Sequence, residues 1–370
     1  MDFLYSDEQR MLLESADRFG LDHFPATDRL KLLEEGEAGV RRTWSMMAEL
    51  GWLMLPIAEE QGGLGGGLVE VMALQEALGR HLVPSPFVTS CVLVPALLRE
   101  AGDAAAELLA AIGAGEAIAA AALLEADGGY DPHRVALTAQ AVDGGYALSG
   151  AKCHVEDGAD ADWFLISART AGAANEREGI SLFLVPASAS GLTVHRFRAI
   201  DGHRHARLEL NDVRDAVLLG SKDQALPVIE AAVARASCAY LAEATGSMES
   251  LSAITLDYLR TRHQFGKPIG SFQVLQHRMV DMVIACEEAR AMMLHGTLNH
   301  HLGDRDWQRA VSAARVRVGE CGVYVGQQAV QLHGGVGFSD ELIVSHHLKR
   351  QMMLAQAHGS IDYHRGRFAA

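Results

Sequence analysis

RTRHQFGKPIGSFQ, residues Arg260 to Gln273, lies between two long amphipathic runs and decides how the rest of the chain is read. Before it, Leu241, Ala244, Met248, Leu251, Ile254 and Tyr258 recur at steps of three and four, one face of a helix. After it, Val274, Leu275, Val280 and Val283 begin another such face. Gly266-Lys267-Pro268 breaks the first helix, and Gly270-Ser271 offers a new start. An Arg-rich turn with an aromatic and two glutamines is thus held between two packed helices. The planar donor fork of Arg262 suits a pyrophosphate, and Gln264 and Gln273 add neutral donors. Taken alone, the stretch also reads as a solvated helical hairpin.

Working outward, QLHGGVGF begins at Gln331 and places three glycines within four residues, which lets backbone approach a ligand closely. In this order and spacing the two stretches resemble the C-terminal helical domain of the flavin-dependent acyl-CoA dehydrogenases. The resemblance extends over the whole chain, from MDFLYSDEQRMLLES onward.

The segments around the two motifs are consistent with that family's order of domains. Residues 1–116 read as an all-α domain, with helices opening at Asp7-Glu8-Gln9, around Trp44 to Leu50, and from Leu68 to Gly79. The loop Gly62 to Gly67 lacks the Lys-Ser/Thr of a P-loop and reads as a flexible connector. Residues 117–221 carry short β-like runs, at Tyr146–Leu148, Trp163–Ile166, Ile180–Val185 and Arg207–Leu210, and predict a β-sandwich or barrel. Residues 222–370 predict an antiparallel four-helix bundle, with helices near 224–263, 272–301, 307–333 and 340–367. The expected class is α+β.

Composition narrows the function. A net charge of −15 argues against a nucleic-acid partner. No apolar run is read as reaching the ~18 residues of a bilayer span, and the N-terminus lacks a basic signal region. Five scattered cysteines without CxxC predict reduced thiols in the cytoplasm, with Cys238, Cys286 and Cys321 as small core residues.

The resemblance implies α,β-dehydrogenation of an acyl-CoA thioester, with a carboxylate taking the α-proton and FAD the β-hydride. It also implies an FAD shared between subunits, in a dimer or a dimer of dimers. Arg262, Phe265 and Gln273 match the residues that contact the ADP half, and Gln331, Gly334 and Gly335 those that close over it. The isoalloxazine side departs from the family. Where Leu-Thr-Glu-Pro…Gly-Ser-Asp is usual, the chain has Leu123-Leu124-Glu125-Ala126 and, further on, Gly129-Tyr130-Asp131. Where Gly-x-Lys-x-Trp-Ile-Thr is usual, His154 replaces the Trp and Glu156 the Thr that bonds flavin N5. A carboxylate there disfavours an anionic reduced ring.

The base position departs as well. Counted without gaps, the family's Tyr-Glu-Gly-Thr falls on Ala357-His358-Gly359-Ser360, so His358 occupies the Glu position and Ser360 the Thr that reaches cofactor. The alternative site on the earlier helix falls near Ala236, and Glu243 and Glu249 lie roughly two and three and a half turns beyond it. His358 is either a general base or one of several surface histidines in a tail with His346, His347 and His364. No metal site is expected, because adjacent His346 and His347 point ~100° apart on a helix.

Three readings follow. The chain is the base-lacking subunit of a heteromeric dehydrogenase that completes a homologous partner's FAD site; or a self-sufficient homotetramer using His358 or another base; or a non-catalytic thioester-binding homologue.

Overall fold

A computed structural model describes residues 5–99, 101, 103–301 and 306–370. The first helices are α1 (Asp7–His23), α2 (Arg29–Glu34), α3 (Glu37–Glu49), α4 (Leu68–Arg80), α5 (Val94–Leu97) and α6 (Asp103–Gly113). The strands that follow are β1 (Ala119–Ala122), β2 (Thr138–Val142), β3 (Gly145–Val155), β4 (Trp163–Arg169), β5 (Ile180–Pro186), β6 (Leu192–Arg198), β7 (Arg204–Val213) and β8 (Val217–Leu219). The chain closes with α7 (Ala225–Thr261), the ribbon β9 (His263–Gln264) and β10 (Lys267–Pro268), α8 (Gln273–His301), α9 (Trp307–His333), α10 (Ile343–Leu354) and α11 (Ile361–Ala369). Helical N-terminal, β middle and helical C-terminal segments follow one another as expected.

The chain forms two compact units, Met1–Glu34 with Gly67–Val83 and Ser237–Ala370, and Glu35–Gly66 with Pro84–Ala236. In the second unit an eight-stranded sheet runs β6-β7-β3-β2-β4-β5-β8, with β1 parallel to β4. β4 and β5 are buried along almost their whole length, as apolar central strands should be, whereas β6 is largely exposed at the edge. The core of this sheet holds an ion pair. Lys152 is fully buried, its Nζ lies 2.7 Å from Glu125 and 3.0 Å from Ser167, and desolvation pushes its pKa down. Arg169 binds the adjoining loops by donating to the carbonyls of Val135, His133, Glu178 and Ala174.

The loop of glycines is a correction. It is tied rather than loose, since Gly63, Leu64, Gly65 and Gly66 donate to the carbonyls of Ala58, Met54, Ile57 and Leu55. A Cβ at Gly63 would sit 2.1 Å from the Ile57 carbonyl oxygen, so the glycine answers a close backbone crossing.

In the first unit, α4 crosses α7 at two glycines. A Cβ on Gly79 would lie 2.2 Å from the Glu243 carbonyl oxygen, and one on Gly246 1.9 Å from that of Glu76. The charges at this crossing form a network, with Glu76 and Glu249 both shared by Arg80 and Arg290. α7 is long and apolar enough to meet the length and composition of a membrane span, which the search for unbroken apolar runs missed. Most of its apolar window, 61%, is buried inside the protein, as a core helix requires.

The last predicted helix is two helices. Between α10 and α11 the chain turns at His358 (φ 55°) and Gly359 (φ 130°), and Ser360 caps α11 by accepting from the Tyr363 amide. The tail histidines are not at the surface. His346, His347 and His364 are buried, against the Asp340 carbonyl, Ser247 and Ser312 respectively. Among the described residues no group of three or more His, Cys, Asp or Glu could hold a metal.

Candidate functional site

The stretch after α7 folds as a hairpin, not merely a break. Arg262 donates its amide to the Tyr258 carbonyl, and the Ile269 amide returns to the Arg262 carbonyl at 2.8 Å. β9 pairs antiparallel with β10, joined by Phe265 (φ 53°) and Gly266 (φ 78°). Two positive φ angles in a two-residue turn fit a type I′ hairpin, which favours Asn or Gly at both positions. A phenylalanine there is strained, and its side chain is 90% exposed. Its ring meets Phe272 edge-on at 6.0 Å, and the Lys267 ammonium lies 4.3 Å from that same Phe272 ring. Arg262 is exposed and has no ion pair among the described residues, and Gln273 is exposed at the first residue of α8.

Tyr258, one turn before the hairpin, stacks on His333 at 4.3 Å and 25°. This contact brings the base of the hairpin to the end of α9, where QLHGGVGF turns. His333 is buried, its Nδ1 is 2.8 Å from the Ala329 carbonyl, and desolvation pushes its pKa down. Beyond it, a Cβ added at Gly334 or Gly335 would meet nothing within 4 Å, so both stand open to a ligand, whereas Gly337 packs against the Val330 carbonyl. Gln331 is exposed beside them. An unpaired guanidinium, two amide side chains and open glycine backbone in one helical unit fit the anionic half of a dinucleotide.

The β-domain residues matched to the ring half lie in an irregular stretch of the sheet. β3 and β7 slip register between Lys152 and Val155, and His154 sits in that bulge at φ 48°. Asp157, at φ 54°, accepts from the Thr89 hydroxyl at 2.6 Å. Glu156 and Asp157 both act on His205, whose pKa burial nevertheless pushes down. Glu156 thus stands where the resemblance implies a hydroxyl donor to flavin N5. Glu125 is consumed by Lys152 and by the amides of Ala136 and Leu137.

At the base position, His358 is half-buried with Nδ1 3.5 Å from the Ser237 hydroxyl and its ring 5.1 Å from that of Tyr240. The loop carrying it is stitched from α9, where the buried Arg315 guanidinium donates to the Leu354 and Ala357 carbonyls. Sequence reasoning missed Arg315; its signal was a lone arginine on the apolar stripe of Val311, Ala314 and Val318. Two α7 carboxylates, Glu243 and Glu249, are engaged. Glu243 is held bidentately by Arg350 with both side chains buried, and Glu249 lies in the network with Arg80 and Arg290. Ser360 Oγ accepts from the Tyr363 amide, which leaves its hydroxyl proton to donate elsewhere.

An all-helical segment, a β layer and a helical bundle follow one another in the order of the flavin-dependent oxidoreductase fold expected from the sequence. Family models match the chain along nearly its full length: the acyl-CoA dehydrogenase N-terminal domain over residues 6–116, the middle domain over 120–213 and the C-terminal domain over 226–370. The chain belongs to the acyl-CoA dehydrogenase family, a family of enzymes. It is 28% identical over 359 residues to the L-prolyl-(peptidyl-carrier protein) dehydrogenase of Serratia sp., covering 94% of this chain and 92% of that protein. Among solved structures it is similar to the Tcur3481–Tcur3483 steroid ACAD, with TM-score 0.87 and 28% identity over 98% of this chain and 97% of that one. It is also similar to the ChsE4-ChsE5 complex from Mycobacterium tuberculosis, with TM-score 0.89 and 25% identity over 100% and 98% of the two chains.

Proposed function

We propose that this chain is the base-lacking subunit of a heteromeric, FAD-dependent dehydrogenase of acyl thioesters. It lends Arg262, Phe265, Gln273, Gln331, Gly334 and Gly335 to the ADP half of an FAD whose ring and base site belong to a homologous catalytic subunit. FAD, when bound, supplies the hydride acceptor. In this chain, Arg262 neutralises pyrophosphate charge, the glycine turn lets backbone amides approach it, and the exposed Phe265 covers an aromatic surface. Five free cysteines accord with action in the cytoplasm.

One observation carries the reading. The helical unit keeps an exposed cation, amide and glycine cradle, while Glu243 and Glu249 of α7 are spent in ion pairs and a histidine stands at the base position. The relatives named for two-component assemblies support it. The positive φ of His358 and its Ser237 contact favour a second reading, in which His358 is the base of a self-sufficient enzyme.

Flavin absorbance of the purified chain, alone and co-expressed with its homologous partner, separates these readings. The proposal expects a nearly colourless lone chain and a yellow complex that loses flavin when Arg262→Ala is introduced. A lone chain with stoichiometric FAD, and turnover abolished by His358→Ala, establishes the second reading instead. Flavin that no acyl thioester bleaches, with or without partner, points to a non-catalytic homologue.

A further inference from the structure

The open glycines hang between two buried histidines. Upstream, His333 bonds through Nδ1 to the Ala329 carbonyl at 2.8 Å and stacks on Tyr258. Downstream, His346 in the first turn of α10 bonds through Nε2 to the Asp340 carbonyl at 2.8 Å. Gly334, Gly335, Val336 and Phe338 lie exposed between them. A carbonyl only accepts, so the ring nitrogen in each bond carries a hydrogen, and the neutral ring leaves its other nitrogen bare. A second proton would place a charge where the packing cannot solvate it.

Two further ties hold the downstream segment. The Ser345 hydroxyl donates to the Ser339 carbonyl at 3.1 Å, and Lys349 pairs with the Asp340 carboxylate. A serine hydroxyl does not titrate here, and Lys349 holds the Asp340 carboxyl below its usual range, so both ties survive mild acid. The His346 tie does not. Burial lowers its pKa against the pull of the Asp340 carbonyl and carboxylate, and the charges of Arg29 on α2 and of Lys349 lower it further. Its neighbour His347 is buried against Ser247. At His333, burial outweighs the Ala329 carbonyl, and no charged side chain among the described residues enters.

The sign follows from linkage. Both rings sit below the 6.5 of a free imidazole, so each takes a proton more readily once the lip is undone. The fastening is complete above that pH and weakens as pH falls, by up to about tenfold per pH unit for each histidine. The hairpin lip answers the other way. Arg260, Arg262, His263 and Lys267 are exposed together, and a proton on His263 adds charge that favours a pyrophosphate. The direction of the pH response therefore reports which lip governs.

We propose that His333 and His346 are positioning residues of the nucleotide site, which fasten the glycine lip only while neutral, so that mild acid loosens this chain's hold on the cofactor. This rests on the assignment of Gln331, Gly334 and Gly335 to the ADP half above, and adds the regulation of that site.

The test is the flavin dissociation constant of whichever preparation is yellow, lone chain or complex, from about pH 7.5 to about pH 5.5, with helicity followed by circular dichroism. The variants are His333→Asn and His346→Gln, whose amides offer an N–H near Nδ1 and Nε2 respectively and take up no proton. Wild type is expected to bind up to about tenfold more weakly per pH unit for each histidine, at constant helicity. Each single variant should lose its share, and the double variant should show none of that weakening. Should His333→Asn disturb the Tyr258 stack, His346→Gln alone decides, since it leaves that stack in place. Wild-type flavin held equally or more tightly in acid overturns the proposal. So does a double variant that weakens like wild type, or release in step with lost helicity. A yellow lone chain removes the heteromeric reading yet leaves this test intact. If neither preparation is yellow, the cradle assignment and the proposal fall together, whereas bound flavin whose pH response ignores the substitutions removes only the proposal.

Discussion

Phe265→Asn separates function from fold in one substitution. Phe265 occupies a left-handed turn position at φ 53°, where a β-carbon other than that of Asn or Asp costs about 1–2 kcal/mol. Asparagine removes most of that cost. The ring it deletes is 90% exposed, so little buried area is lost, and the edge contact with Phe272 at 6.0 Å contributes about 0.5–1.5 kcal/mol at most. The lone chain should therefore be unchanged or stabilised by up to about 1 kcal/mol, a rise in Tm of about 0–3 °C. On the heteromeric reading proposed above, the same change removes an aromatic surface from the nucleotide, so flavin content per complex should fall. Differential scanning calorimetry on the lone chain and flavin absorbance on the complex read the two effects separately. A drop in Tm corresponding to more than about 2 kcal/mol would show that Phe265 serves the fold. Unchanged flavin content would show that its strain serves something other than the cofactor.

Gly246→Ala places a methyl 1.9 Å from the Glu76 carbonyl oxygen, so α4 and α7 must separate, and a loss of about 2–4 kcal/mol is expected in chemical denaturation. Glu243→Gln takes a carboxylate charge away from the buried Arg350 guanidinium and should cost about 3–5 kcal/mol, whereas the double change Glu243→Gln/Arg350→Met should recover part of it. Burial holds His347 and His364 near a pKa of about 3, against 6.5 in the unfolded chain. Below pH 6.5 the unfolded chain takes up protons that the folded chain refuses. Stability is thus complete above that pH and falls toward pH 3, by about 1.4 kcal/mol per pH unit for each histidine. Tm measured from pH 7 to pH 4 should fall accordingly, and less steeply in His347→Gln.

The long helices were legible because apolar residues recur every three or four positions, and three of the four C-terminal boundaries follow from that period. The α10–α11 break was not legible, because the turn is made by a histidine with positive φ, and only Gly359 marks it. The buried histidines looked like a polar tail because their partners lie far off in sequence: His347 meets Ser247, and His364 meets Ser312. The glycines at 62–66 read as slack, yet their amides are nearly all bonded, a property of backbone crossing that composition does not carry. The cradle residues were named from motif spacing. What spacing could not show was that Tyr258 and His333 join the two motifs, or that Arg315 holds the loop of His358.

The stack of Tyr258 on His333 has a mechanical consequence. The two lips of the cradle hang from different helices, and this aromatic pair is a direct fastening between their bases. A load on either lip is passed to the other, so whatever seats itself on the glycines also steadies the arginine hairpin. Loosening that rivet would weaken the coupling between the two lips, leaving the packing of α8 on α9, with Arg278 on Gln328, as their remaining link.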